Sequence, residues 1–384
     1  MHNRLLKIPH FTELKKIILE GGFDAYFVGG CVRDILLDRP VHDVDMVCFS
    51  HDYKEFASAV KAGLPSVWVE FKDNIRLVRG RVEIDISKPR GDTLEEDLTK
   101  RDFTINNLAM DTAGNMHGDM TDINAKIVRH VSENTFKDDP IRILRTFRFN
   151  AQVGFDIAPE TLKKIKLEKD MITISASERI FAELDKLFMG AHAHKTLQDM
   201  IDTGVYEVLT KGITPDCVDE IAAKSGRGLV FFAASLFRKL DKDEVDKLAV
   251  TLNFPNALKK RALRTSEFFK EVAKALENAE EFELRKLIYA YPDEMDDGLK
   301  LYEIESECSE MDKEQLEEKI YIVMTQLKYV DFELPDRING QFLQEIGVAP
   351  GPRMGEIIKS IRPMLASGEL KTIDEAVVYI KEKY

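Results

Sequence analysis

The sequence predicts an α+β fold: a head with a mixed sheet and helices over residues 1–136, then a remainder built from helices alone. Three observations predict it. Short β-rich runs crowd the first third of the chain, strand signals fade from about residue 137 onward, and apolar residues then recur at helical spacing. At 384 residues, with 44% hydrophobic and 32% charged residues, the chain is an ordinary globular protein long enough for two or three domains.

Taken in order, DAYFVGG (24–30), VDMVCF (44–49), SVWVEF (66–71), IRLV (75–78) and VEIDIS (82–87) read as strands, and YKEFASAVKAG (53–63) has helical spacing. In the helical part, ERIFAELDKLF places Ile180, Phe181, Leu184, Leu187 and Phe188 on one face. Breaks are expected near Gly190 and at TPDC (214–217), YPDEMDDG (291–298) and ELPDRING (333–340), where Pro, Gly and Asp cluster. No repeat of 20 to 50 residues and no low-complexity tract is visible, which disfavours a solenoid.

No apolar run approaches the roughly 18 residues of a spanning helix, and the start MHNRLLKIPHFTELKK lacks the apolar core of a secretion signal, so the expected location is the cytoplasm, with no membrane partner. Cys31, Cys48, Cys217 and Cys308 have no paired spacing, and all four are expected to be reduced and mostly packed. A net charge of -13 argues against coating nucleic acid by bulk attraction, while leaving room for local basic surfaces that hold RNA.

The stretch FVGGCVRDILLDRPVHDVDMVC (27–48) carries the first chemistry. Asp43 and Asp45 are two apart on a strand and so share a face, where like charges repel unless a cation lies between them. Two carboxylates suit a hard divalent ion, here Mg2+, that activates a hydroxyl and neutralises a leaving phosphate. Asp85 in VEIDIS is the candidate third carboxylate, with Glu83 on the same face as the fallback. Gly29 and Gly30 leave a bend without side chains, so backbone N–H groups and the next helix N-terminus can approach a triphosphate.

GGCVRD followed by HDVDMV resembles the head signature of class II tRNA nucleotidyltransferases and bacterial poly(A) polymerases, members of the polymerase-beta-like nucleotidyltransferase superfamily. The resemblance continues in LEEDLTKRDFTINNLAMD (94–111), DDPIRILRTFRF (138–149) and SERIFAELDKLF (177–188). It implies a nucleotidyltransferase head (1–136), a helical neck carrying a base template (137–200), a helical body (201–330) and a helical tail that binds tRNA (331–384). The activity it implies is template-independent addition of CMP, with AMP as a second nucleotide, from CTP and ATP to the 3′ end of tRNA.

Residue by residue, Asp43 and Asp45 are the implied metal ligands, and Gly29, Gly30 and Arg33 cradle phosphate, with Asp34 bracing Arg33. In KRDFTINN a helix is expected to present Arg101, Asp102 and Asn106 for triphosphate and sugar contacts, Asp102 facing the ribose. Asp139 and Arg142, three apart, are expected side by side on a helix. The resemblance makes them an amino-acid template matching the amine and ring nitrogen that cytosine and adenine share. Arg145 and Arg148 follow at helical spacing and face either phosphate or solvent. The chain departs from the family pattern at Asp138, usually Glu, and at Lys100, usually Arg, which loses a bidentate fork.

After VEIDI only about seven residues, SKPRGDT, intervene before LEEDL, where CCA-adding relatives carry a longer flexible loop. This leaves open a CC-adding enzyme whose product a separate A-adding enzyme completes. The end of the chain, INGQFLQEIGVAPGPRMGEII, resembles the tail of bacterial CCA-adding enzymes and offers Arg353 and Lys359 to phosphate, which favours tRNA as the substrate. Two alternatives differ in class: a poly(A) polymerase extending RNA 3′ ends with AMP, and a noncatalytic RNA-binding protein that would have no use for the Asp pair. The dipeptides His42-Asp43 and His51-Asp52 lack the further ligands of a phosphohydrolase, His192 and His194 read as a cap or surface pair, and KKRALR (259–264) reads first as a solvated face.

Overall fold

The computed structural model describes residues 5–50, 52–213, 228–278, 280–309 and 311–384; the expected break at 214–217 and Cys217 lie outside them. The chain divides into two compact units, Met1–Arg179 with Asp199–Val208 and Ile180–Gln198 with Leu209–Tyr384. The dividing point falls inside the stretch expected as the neck, and nearly all of the expected body shares the second unit with the tail.

In the first unit a seven-stranded sheet is formed by β1 (Ala25–Val28), β2 (Asp43–Cys48), β3 (Val67–Glu70), β4 (Asn74–Arg79), β5 (Val82–Ser87), β6 (Ala109–Met110) and β7 (Met116–His117), in the order β3-β4-β5-β2-β1-β6-β7. Each of the five runs read as strands is one. β6 and β7, two residues each, are too short to carry a periodic signal. β2 and β5 run parallel and the other neighbours antiparallel.

The alternation along β2 gives its two faces different jobs. Val44 and Met46 point one way and are fully buried, and the helix Tyr53–Gly63 packs on β2, β4 and β5 with Phe56, Ala57 and Val60 inside. Asp43, Asp45 and Val47 point the other way. Val47 joins Val28, Leu94, Leu98 and Ala109 in a cluster under the helix Leu94–Thr99, while Asp43 at the opposite end of the strand stays exposed. Fully buried Phe27, Phe56, Phe103 and Phe147 each contribute about 1.5–3 kcal/mol of transfer free energy to this unit.

The second unit is helical. Leu229–Phe237, buried except at Val230, packs against Asn256–Asn278, which also meets Met295–Cys308. Glu281–Ala290 packs against Lys313–Leu327 and Pro352–Ser367, and the end of the chain closes over Ile338, Leu343, Ile357, Ile361, Leu365 and Ile380. In KKRALR, Lys259 pairs with Asp246 and Arg264 with Glu294, so part of that basic face is spent within the unit.

Cys31 and Cys48 are free and buried, as expected, but Cys308 is disulfide-bonded, which corrects the expectation of four reduced thiols. Among the described residues no helix is long and apolar enough to cross a membrane.

Candidate active site

Register brings the acidic residues together. β2 and β5 align Asp43 with Glu83 and Asp45 with Asp85, and residues opposite one another in a parallel pair share a face. Asp85 is buried, and its carboxylate accepts a fork from Arg76, Nε to Oδ1 at 2.9 Å and Nη2 to Oδ2 at 2.8 Å, with Asn74 Nδ2 adding a bond to Oδ1 at 3.1 Å. Arg76 also pairs with Glu83. The candidate third carboxylate and its fallback are thus both engaged by one guanidinium. Asp45 has a different environment: burial first, then the charge of Asp85, pushes its pKa up to about 6, with Asp43 adding to the rise and Arg101 and Arg33 opposing it.

The two glycines lie against this carboxylate. β1 ends at Val28, and Gly29 turns the chain with φ 67 before the seven-residue helix Gly30–Leu36. A Cβ on Gly29 would sit 3.1 Å from Arg101 Nη1 and 3.9 Å from Asp45 Oδ2; one on Gly30 would sit 3.5 Å from Asp45 Oδ2 and 3.7 Å from Arg33 Nη2. Bare backbone, one acidic group and two cations therefore meet in one place.

The cations are held by their own partners. Arg33, buried, donates Nε and Nη2 to Asp34 and Nη1 to Asn106 Oδ1 at 2.8 Å, so Asp34 braces it as expected. Arg101 forks onto Asp97 Oδ2 at 2.9 and 2.6 Å. Asp97 is 1% exposed and was not singled out from the sequence; its signal was the four-residue spacing to Arg101 in LEEDLTKR.

KRDFTINN is not one helix. Leu94–Thr99 ends at Lys100, and Thr104–Asn106 forms a separate 3-10 turn. Asp102 between them turns its carboxylate onto the Phe103 N–H, a local bond that competes with helix continuation. The same carboxylate accepts from Asn106 Nδ2 at 3.0 Å and from Arg145 Nε and Nη2 at 2.8 and 2.6 Å, and Arg145 with these bonds holds Asp102 well below the usual carboxylate range despite its burial. An ionised carboxylate has about four lone-pair sites. These four donors occupy them, so the expected ribose acceptor is already engaged by the protein.

Asp139 and Arg142 do not lie on one helix either. Asp139 is extended, φ -154, between the helices Thr135–Asp138 and Arg142–Val153, because Pro140 pushes the residue before it out of helical geometry. Its carboxylate takes a fork from Arg179, 3.1 Å to Oδ1 and 2.8 Å to Oδ2, while Arg142 donates to the carbonyls of Thr135 and Lys100 at 3.3 Å each. Lys100 donates Nζ to the Arg90 carbonyl at 2.7 Å, a bond that one ammonium can make. The short segment after β5 is pinned as well, by Lys88 N–H to the Asp73 carbonyl, Arg90 N–H to Asp97 Oδ1 and Asp92 N–H to Glu96 Oε2. Arg353 and Lys359 are exposed on the helix Pro352–Ser367 in the second unit.

Residues 25–129 match the family described as the poly A polymerase head domain, and residues 154–217 match the probable RNA and SrmB-binding site of polymerase A. A CCA-adding enzyme of Streptococcus uberis is 30% identical across 96% of this chain and 95% of its own length. This chain belongs to the CCA-adding enzyme family. The CCA-adding enzyme of Streptococcus sanguinis is 31% identical over 95% of both chains. The fold is that of solved members of the CCA-adding family: a Thermotoga maritima CCA-adding enzyme complexed with tRNA has a TM-score of 0.70 at 22% identity, covering 97% of this chain and 94% of that one. A Bacillus stearothermophilus CCA-adding enzyme in complex with CTP has a TM-score of 0.70 at 21% identity, covering 98% of each.

Proposed function

We propose that this CCA-adding family member transfers CMP and AMP from CTP and ATP, without a template, to the 3′ end of tRNA. The observation that carries the reading is the meeting of Asp45 with bare backbone at Gly29 and Gly30 and with Arg33 and Arg101. This is the arrangement that a triphosphate and a carboxylate-bound cation need side by side. The relatives named CCA-adding enzymes over nearly the full chain support the substrate.

The donor set fits magnesium. Among the described residues no three acidic, histidine or cysteine side chains form a metal site, but magnesium is commonly held by one or two carboxylates with substrate phosphates completing its shell. Asp43, exposed, and Asp45, whose charge its surroundings disfavour, would hold it, and Asp85 acts on Asp45 by its charge while Arg76 and Asn74 keep it in place. When bound, the ion activates the terminal ribose hydroxyl and neutralises the departing pyrophosphate.

The chain's own residues do the rest. Gly29 and Gly30 admit the triphosphate, and Arg33 and Arg101 face it with positions set by Asp34, Asn106 and Asp97. Asp102 and Asn106 serve the nucleotide by holding Arg145 and Arg33. Asp139, held by Arg179, and Arg142 read the base. Sequencing the 3′ ends made from tRNA lacking its terminus, with CTP alone, ATP alone and both, tests the reading. Terminal CCA supports it, arrest at CC assigns A addition to a separate enzyme, and long A tails on unstructured RNA point to a poly(A) polymerase.

A further inference from the structure

We propose that Phe149 is a positioning residue whose buried ring gathers the guanidinium groups of Arg33, Arg145 and Arg148 into one cationic platform for the triphosphate of the incoming nucleotide. The inference rests on the nucleotidyl-transfer reading above and adds a residue to which that reading gives no part.

Three guanidinium carbons lie around this one ring, Arg148 at 4.2 Å, Arg33 at 5.1 Å and Arg145 at 5.4 Å from its centroid. All three are inside the roughly 6 Å over which an aromatic face attracts a cation. Phe149 is 3% exposed, and Phe103 meets it edge-on at 5.5 Å, so the ring is fixed before any ligand arrives. Arg145 and Arg148 come from the helix Arg142–Val153 that also carries the ring, whereas Arg33 comes from the helix after the double glycine. The ring is the group these separate elements share.

An aromatic face suits this task better than an acidic side chain would. A further carboxylate would add negative charge to the two, Asp34 and Asp102, that already pair with Arg33 and Arg145, while a ring attracts guanidinium through its quadrupole and adds none. A guanidinium can also stack through its plane and donate from its edge at the same time. Arg33 donates to Asp34 and Asn106, and Arg145 to Asp102, while their guanidinium carbons stay 5.1 and 5.4 Å from the ring centroid. The platform borders the acidic site: Arg33 Nη2 and Asp45 Oδ2 lie 3.7 and 3.5 Å from the same point, the Cβ position of Gly30. Several like charges held this close attract a polyanion far more than a monoanion, so the group recognised is a triphosphate in preference to a single phosphate.

The test places 4-fluoro-, 3,5-difluoro- and 3,4,5-trifluorophenylalanine at position 149 of the full chain, which drains the ring face of negative potential with little change in shape. CTP and CMP affinities are measured by calorimetry without tRNA, and unfolding midpoints are followed alongside. The expected result is a stepwise loss of CTP affinity reaching about tenfold, a change of about twofold or less for CMP, and unaltered midpoints. Constant CTP affinity along the series overturns the proposal, as does parallel weakening of CTP and CMP with falling midpoints, which would make the ring a packing residue only. Ring-dependent CTP binding by a chain that adds no nucleotide to tRNA supports the platform and removes the transferase reading instead.

Discussion

Asp45 and Asp85 stand level on parallel strands and share a face, yet only Asp85 has a guanidinium forked across both of its oxygens. Two carboxylates level with one another thus play different parts. Asp85 is held by Arg76 and still acts on Asp45 by its charge, and Asp45 keeps an unfavourable charge that a cation would relieve.

The metal-free protein should therefore lose stability as pH rises through about 6. A carboxyl whose folded-state pKa lies above its unfolded value holds its proton more tightly in the fold. The contribution is full below the ordinary value of 3.8 and is lost through about 6. Denaturant titrations at pH 5 and 7.5 without metal should show a loss of about 1–3 kcal/mol that Asp45→Asn removes, and magnesium should stabilise more at pH 7.5. Equal magnesium effects at both pH values, with a parent-like profile in Asp45→Asn, would contradict this.

Replacing the two carboxylates should give unequal results. Asp45→Ala is expected to abolish CMP incorporation while leaving RNA binding intact. Asp85→Asn should retain measurable activity, lower stability by about 1–3 kcal/mol through the loosened Arg76, and move the acid limb of the rate profile to lower pH. A single-turnover assay across pH separates the two variants, and an Asp85→Asn enzyme as inactive as Asp45→Ala would restore Asp85 as a catalytic ligand.

Asp102 and Arg145 should behave as one unit. Each single change, Asp102→Asn or Arg145→Gln, leaves a buried or half-buried group without its partner, and each should raise the KM for CTP about tenfold. The double variant should be little worse than either single one, with a coupling of about 2 kcal/mol in a double-mutant cycle. Additive losses would show that the two groups meet the nucleotide separately.

Arg179→Ala should cost little stability and much selectivity. The Asp139–Arg179 pair is largely exposed and contributes at most about 1 kcal/mol to the fold. Without it Asp139 loses its orientation, so discrimination of CTP over UTP should fall about tenfold in competition assays. Unchanged discrimination would take Arg179 out of base reading.

Much of this was legible in the chain. The five sheet runs, the helix Tyr53–Gly63 and the acidic pair on one face of β2 all follow from local periodicity, whereas the one helix expected to carry both Asp139 and Arg142 is broken at Pro140. The partners were not legible. Arg76, Arg179 and Phe149 have ordinary explanations as a strand cation, a surface charge and a core ring until other segments are brought beside them.

By itself the sequence determined which residues alternate, where the glycines free the backbone and which family's motifs the chain carries, because these depend on spacings of a few residues. Only the tertiary structure decided that Asp85 is claimed by Arg76, that Asp102 spends its oxygens on Arg145, Asn106 and Phe103, and that three arginines meet over Phe149. The physical reason is that a side chain's charge and hydrogen-bonding capacity are set by whatever lies within a few ångströms of it. Strand register and chain reversal choose those neighbours from residues tens of positions away.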